Sequence, residues 1–144
     1  MAIIRRIEEQ DCQQEFQTGK RVFDFDPSGI PLDLHIYLER DRSGNYESYV
    51  LVENSNVVAI LCIQFRKNAL YLSRIGVKES SRLKGYGKQL MEFAVQKAME
   101  KGFRKITLEA QSEVIRFFED IGFVVKRRYA DTYWGNSATM ELSW

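Results

Sequence analysis

The sequence contains little cysteine, and its two cysteines form no framework. Cys12 and Cys62 show neither the spacing of a metal site nor that of a redox pair. We therefore expect no metal centre, and two such thiols suit a reducing, cytoplasmic location. The first six residues contain no apolar signal run, and no stretch of the chain is long enough to span a bilayer. We therefore expect no membrane partner.

The chain also lacks an excess of charge of either sign. It has 21 Lys and Arg residues against 20 Asp and Glu residues, which gives a net charge of +1. No overall field therefore argues for nucleic acid or a membrane surface as a partner, and any cationic function must be local. The sequence has no internal repeat and no low-complexity segment. Its 144 residues suffice for one core, so we predict a single domain over residues 1–144.

What the sequence does have is a series of apolar runs with strand or helix periodicity. The predicted strands lie at residues 3–7, 48–53, 57–65, 69–77, 106–111, 124–129 and 138–144. The predicted helices lie at residues 88–101 and 113–121, the second capped by Ser112, and Asp11 is expected to cap a weakly helical segment at 10–18. This order predicts an α/β (α+β) fold, a mixed sheet with helices on both faces. Strands 69–77 and 106–111 should run parallel.

The stretch between strand 69–77 and helix 88–101 combines two close glycines with basic residues. Gly85 and Gly87 allow backbone N–H groups to turn inward, where a helix start offers further unpaired N–H groups. Cations normally favour the other end of a helix, so Arg82, Lys84 and Lys88 at this end indicate a bound anion. The pattern predicts a phosphate site. The alternative is a solvated basic turn.

Two common phosphate loops do not fit these letters. A dinucleotide fingerprint requires a third glycine where Leu90 stands. A Walker loop requires glycine at position 82 and Ser or Thr at position 89, but this sequence has Arg82 and Gln89 there. Neither kind of nucleotide site is therefore expected.

Residues 82–87, Arg-Leu-Lys-Gly-Tyr-Gly, resemble the Arg/Gln-x-x-Gly-x-Gly/Ala loop of the GNAT family of N-acetyltransferases. Residues 117–123, Phe-Phe-Glu-Asp-Ile-Gly-Phe, resemble a late motif of the same family. The resemblance covers roughly residue 48 to the C-terminus. It implies a single-domain GNAT-like fold with a mixed central sheet of six to seven strands, and an acetyl-CoA-dependent N-acetyltransferase.

The resemblance also implies where acetyl-CoA would be held. The loop that holds the pyrophosphate corresponds to Arg82, Leu83, Lys84, Gly85, Tyr86, Gly87 and Lys88. The pantetheine arm would pair with Ile75 and Val77, and the interior Gly76 indicates a bulge that splays the strand. The alternative is a glycine that only relieves the twist of the strand. Val77 N–H is the expected donor to the developing oxyanion. Further cofactor contacts are expected from Gln111, Phe117 and Phe118.

The catalytic groups are less well matched. Leu108-Glu109 resembles a pair whose Glu is proposed as the base in some members, so Glu109 is the first candidate; the alternative is a Glu paired with Lys or Arg. Phe118 stands where the family commonly has a Tyr that protonates the departing thiolate. Tyr129 and Tyr133 could replace that acid, or could simply pack with their hydroxyls in water.

Two functions follow. The first is an enzyme that acetylates a primary amine of a small molecule or of a protein N-terminus. The second, motivated by Phe118, is an acyl-CoA-binding module with little catalysis. The acceptor is expected to be a small molecule or a peptide, and a homodimer stays open.

Overall fold

One seven-stranded mixed sheet organises the computed structural model, which describes residues 2–14, 33–78, 81, 84–132 and 135–144. The strands are β1 Ala2–Arg6, β2 Glu47–Glu53, β3 Asn56–Phe65, β4 Leu70–Val77, β5 Lys105–Gln111, β6 Val124–Thr132 and β7 Gly135–Ser143. Their spatial order is β1-β2-β3-β4-β5-β7-β6. Neighbours pair antiparallel except β4 and β5, which are parallel as predicted. The sheet confirms the predicted fold class.

Three α-helices accompany the sheet within the described residues: α1 His35–Arg42, α2 Tyr86–Glu100 and α3 Ile115–Ile121. Two 3-10 turns, Glu9–Gln13 and Ser112–Val114, precede α1 and α3. No described helix is long and apolar enough to cross a membrane.

The helices cover opposite faces of the sheet because side chains alternate along each strand. Leu61 and Ile63 of β3 pack in the larger core with α2 and α3. Ile60 and Cys62 point the other way and pack with Tyr37 and other residues of α1. We call these sides the α2 face and the α1 face. Helices on both faces were predicted.

The predicted cap at Asp11 is wrong. The 3-10 turn follows Glu8, and Asp11 lies within the turn, where its carboxylate accepts the Glu8 N–H at 2.7 Å. Arg5 of β1 donates to the same carboxylate through two bonds of 2.8 Å, so the fully buried Asp11 is held by its ion pair. Residues 15–18 of the predicted segment lie outside the described residues.

The predicted cap at Ser112 is also wrong. Ser112 opens the 3-10 turn, its side chain caps nothing, and α3 begins only at Ile115. The tighter turn brings Val114 and Ile115 into the core together, which explains why the α-helix starts late. Residues 33–40 were left unassigned by the sequence, and 35–40 form most of α1. Asp33, just before the helix, accepts the N–H of the exposed His35 through Oδ1 at 3.0 Å.

Candidate functional site

The candidate site is a cleft where β4 and β5 part. The two strands pair only at Leu70–Ile106 and Tyr71–Thr107, although β4 continues to Val77 and β5 to Gln111. A cavity of about 130 Å³ opens where they diverge. It is lined by Leu72, Ser73, Arg74, Ile75, Leu108, Glu109, Gln111, Val114 and Phe118. We call this cavity the cleft.

The bulge that accompanies this separation is at Ser73, and its predicted position at Gly76 is wrong. Gly76 pairs with Ile60 in regular register, whereas the register shifts between Arg74 and Leu72, which leaves Ser73 as the extra residue. A bulge bends its strand and increases the local twist, so β4 turns away from β5 at this point. The expected splay is present, but it begins three residues earlier than the glycine.

Beyond the bulge, the backbone of β4 alternates between β3 and the cleft. Lys78 N–H donates to Val58 O at 2.8 Å, and Gly76 lies two residues earlier in the same register. Because hydrogen-bonded and non-bonded pairs alternate along an antiparallel ladder, the backbone groups of Ile75 and Val77 point away from β3. They therefore face the side on which an extended ligand would lie.

The glycine loop heads α2 at the same end of the cleft. Gly85 is the N-cap of α2, with a left-handed φ of +79° and no atom within 4 Å of the position that a Cβ would take. The helix begins at Tyr86, two residues before the predicted start, because Gly85 takes this conformation. Gly87 is buried in the first turn, whereas Lys84 and Lys88 are exposed. Arg82 and Leu83 lie outside the described residues.

The first turn of α2 suits an anion. The leading N–H groups of any helix have no intrahelical acceptor, and Gly85 has no side chain that could cap them. Lys84 Nζ lies 3.5 Å from a Glu53 oxygen, a long contact between partly exposed groups that leaves the lysine near the loop. Backbone donors therefore border the open space above Gly85, and the exposed Lys84 and Lys88 lie one residue before it and three residues after it in the chain.

Four polar residues line the cleft: Ser73, Arg74, Glu109 and Gln111. Gln111 Oε1 is buried and has no hydrogen-bond partner among the described residues. A buried acceptor left unpaired costs about 1–3 kcal/mol, so an N–H donor in the cleft would be stabilised there. Glu109 is exposed on the rim and forms no ion pair within the described part of the chain. The alternative of a Glu neutralised by a described Lys or Arg is therefore not what the structure shows.

Phe118 forms the apolar wall of the cleft. Its side chain is buried, and its ring meets Phe117 and Phe123 edge-on at 5.1 Å and 5.5 Å between centroids. Phe117 lies on the other side of α3, where it borders a groove between α2 and α3. Phe118 thus contacts the cleft and Phe117 does not.

The structure does not bring Tyr129 to this cleft. Tyr129 pairs with Ser137 of β7, and Ser137 pairs with Gln111 of β5. Strands lie about 4.8 Å apart, so the Tyr129 backbone is about 10 Å from that of Gln111. The tyrosine borders a different cavity, with Ser112 and Arg128 among its lining residues. Tyr133 lies outside the described residues, and the acid role of either tyrosine stays a prediction.

The α1 face of the cleft holds residues that the sequence did not single out. Arg40 Nη1 of α1 donates to Ser73 Oγ at 3.3 Å. Tyr71 lies beside them on β4: burial raises the pKa of its hydroxyl, the charge of Glu109 raises it further, and Arg66 and Arg40 lower it. The polar letters at 71, 73 and 74 of an otherwise apolar strand were the only signal in the sequence. Nothing in the sequence indicated Arg40, because its side chain reaches β4 only through the packing of α1 on the sheet.

Comparison of the sequence with models of known protein families shows the family of this chain. Residues 7–123 match the sequence model of the Acetyltransferase (GNAT) family. The chain therefore belongs to the GNAT family of acetyltransferases, as the two motifs predicted.

Solved structures share this fold at low sequence identity. A protein from Bacillus anthracis described as a streptothricin acetyltransferase, in complex with acetyl coenzyme A, is 20% identical over 100% of both chains, with a TM-score of 0.79. The ribosomal-protein-S18-alanine N-acetyltransferase of Escherichia coli is 20% identical over 99% of this chain and 94% of its own, with a TM-score of 0.75. The PaiA N-acetyltransferase of Thermoplasma acidophilum, in complex with coenzyme A, is 18% identical over 100% and 99%, with a TM-score of 0.74.

Proposed function

We propose that this protein transfers an acetyl group from acetyl-CoA to a primary amine of a small molecule or of a protein N-terminus. The observation that carries the proposal is the parting of β4 and β5 beside a helix headed by a left-handed glycine. Family membership supports the reaction class. The complexes of the Bacillus and Thermoplasma proteins with acetyl-CoA and CoA support the cofactor.

The residues of the cleft fit acetyl-CoA. The space above Gly85 would accept the pyrophosphate, with Lys84 and Lys88 as nearby cations. The backbone of Ile75 and Val77 would pair with the amides of the pantetheine arm. The unpaired Oε1 of Gln111 would accept an N–H there. The remaining predicted contacts, from Arg82, Leu83, Gly76, Tyr86 and Gly87, belong to the same loop and strand and stay part of the proposal.

Glu109, Phe118 and the backbone of Val77 then have separate chemical tasks. Bound acetyl-CoA supplies an acetyl thioester, and the acceptor must reach it as a neutral amine. Glu109, on the rim of the cleft, takes the amine proton, directly or through water. Val77 N–H would be the donor to the oxygen of the acetyl thioester. Phe118 forms an apolar wall of the cleft and has no proton to donate, so the thiolate would leave unassisted and water would protonate it later.

Release of free CoA thiol across a panel of amines tests this function against the binding-module alternative. The panel should contain alkyl amines, amino acids, diamines and short peptides with free N-termini. We expect acetyl-CoA to bind and CoA to be released with at least one acceptor class. Tight binding of acetyl-CoA without thiol release from any acceptor would favour the binding module.

The wall at Phe118 gives a second test. We expect Tyr129→Phe to match wild type because Tyr129 lies outside the cleft, and Tyr133→Phe to do the same. Phe118→Tyr should raise turnover, since general acid catalysis is typically worth about a hundredfold or more. The measurement is CoA release against pH for the three single variants. A hundredfold loss in either Tyr→Phe variant, with acetyl-CoA affinity kept, would show that a tyrosine is the acid.

The location and assembly of the protein stay proposals. Two free cysteines, Cys12 and Cys62, support a cytoplasmic location. A single domain over residues 1–144 and a homodimer likewise stay predictions.

A further inference from the structure

Arg40 is held at the edge of the cleft by contacts that include Ser73, Tyr37 and Tyr46. Its Nη1 donates to Ser73 Oγ at 3.3 Å, and Ser73 lines the cleft. Its guanidinium carbon lies 5.5 Å from the ring centroid of Tyr37 and 5.4 Å from that of Tyr46. These contacts fix the direction of a long side chain that would otherwise be mobile, so its charge has a defined place beside the cleft.

This guanidinium has no carboxylate partner among the residues that the structure describes. The side chain is nevertheless partly buried. Four other arginines among the described residues each pair with a carboxylate: Arg5, Arg6, Arg42 and Arg116. A guanidinium carries five N–H donors in a planar fork that matches a carboxylate, and a partly desolvated cation favours such a partner. Arg40 therefore has the charge and the spare donors for an anion.

The cleft has an opposite charge at a separate point. Glu109 lies on its rim, and the same cavity is lined by Ser73, to which Arg40 donates, so the two charges lie beside one cavity. A ligand with an ammonium near Glu109 and a carboxylate near Arg40 would satisfy both groups.

The same surroundings disfavour an acceptor with a second positive charge. Cation–π contacts could attract such a charge, but cations already lie over the tyrosine faces. Arg66 lies 3.6 Å from the Tyr71 centroid, and Arg40 covers Tyr46. A second ammonium would be repelled by these guanidinium groups.

We propose that Arg40 binds a carboxylate of the acceptor, so that the preferred substrate is a primary amine that also carries a carboxylate. This inference rests on the proposed acetyl transfer and adds the acceptor class to it. Arg40 acts as a specificity-determining residue and takes no part in the transfer itself.

Matched acceptors of equal length test the preference in the wild-type protein. The first set is 4-aminobutanoate, n-butylamine and 1,4-diaminobutane, with O-phosphoethanolamine as a phosphate probe. The second set is three peptides that differ only in Glu, Gln or Lys next to the free N-terminus. We expect kcat/KM to be about tenfold or more higher for the carboxylate member of the set that reacts, as for a charge-assisted hydrogen bond.

Variants of Arg40 then separate binding from a structural role. R40Q should lower kcat/KM for the carboxylate acceptor about tenfold, while the neutral acceptor and the KM for acetyl-CoA stay unchanged. R40K keeps the charge but loses the planar fork of donors. Its kcat/KM for the carboxylate acceptor should therefore lie between those of R40Q and wild type. R42Q removes an equal charge from the same helix at an exposed arginine paired with Glu9, and should leave every ratio unchanged. If R40Q does not fold, the ratio of kcat/KM between carboxylate and neutral acceptors, measured in R40K and in wild type, still tests the inference.

Several results would overturn the inference. Equal rates for the carboxylate and neutral members, or a preference for the diamine or the Lys peptide, would do so. An equal loss for all acceptors in R40Q and R40K would show that Arg40 only supports the fold. A preference for O-phosphoethanolamine over 4-aminobutanoate would reassign the subsite to phosphate. Turnover of neutral amines without any preference for a carboxylate would overturn the role of Arg40 and leave the proposed acetyl transfer standing. No turnover with any acceptor would count against the proposed acetyl transfer itself.

Discussion

Gly85→Glu is expected to weaken acetyl-CoA binding at least about a hundredfold, which corresponds to about 2.8 kcal/mol. Gly85 is the N-cap of α2, and the space around it is open, so a new side chain can be accommodated. The added carboxylate would stand where we place the pyrophosphate. Two like charges about 4 Å apart repel by about 4 kcal/mol near a protein surface, which exceeds the loss we expect. Calorimetric titration of the folded variant measures the effect.

The control for this variant lies at the other end of the same helix. Gly102 follows α2 with a φ of +80°, and no atom lies within 4 Å of where its Cβ would stand. Gly102→Glu therefore imposes the same left-handed strain, about 1–2 kcal/mol, and the same charge, but far from the cleft. We expect it to destabilise the fold comparably and to keep acetyl-CoA affinity. Equal affinities in both variants would refute the assignment of the loop. Gly87→Glu is less informative because Gly87 is buried.

The position of the loop could be predicted from the sequence because its signals are local. Two glycines and three cations between a strand and a helix are visible in seven consecutive letters. Only the start of α2 was wrong, by two residues, because the sequence did not reveal that Gly85 would adopt φ +79° and end the loop. The strands were predicted for a similar reason, since apolar alternation is a property of each segment alone.

The bulge could not be predicted in the same way, because a register shift exists only between two strands. Gly76 was the visible irregularity in β4, yet it pairs regularly with Ile60. Ser73 is the extra residue because Arg74 and Leu72 take consecutive partners on β3. No feature of the letter at 73 reports this, since the shift depends on how β3 and β4 align.

The α1 face of the cleft was missed because it joins parts of the chain that are distant in sequence. Arg40 and Ser73 meet through the packing of α1 on the sheet, and Glu109 comes from β5. Each residue alone is compatible with an ordinary surface position. Their chemistry becomes apparent only when the three are in one place.

Glu109→Gln is expected to lower kcat/KM for amine acetylation about a hundredfold at neutral pH, the lower range for loss of a general base. The structure places Glu109 on the rim of the cleft, with no ion pair to another described residue that would occupy its carboxylate. The variant keeps the size and the hydrogen-bonding capacity of the side chain, so acetyl-CoA affinity should be unchanged. The deficit should shrink as pH rises, because the acceptor then loses its proton without help. CoA thiol release against pH, with binding measured separately, gives both quantities.

Glu141→Gln is the matched control for this base. Glu141 lies on β7, which pairs with β5, and its register partner Thr107 is on the same face as Glu109. Its carboxylate is held by Lys105 and Lys126 at 3.4 Å and 3.7 Å, away from the cleft. Removing this charge should alter stability slightly and leave the pH profile of turnover intact. If Glu109→Gln also kept the wild-type profile, Glu109 would not be the base. A uniform loss at every pH would instead mean that Glu109 supports the shape of the cleft, because a missing base is felt most where the amine is still protonated.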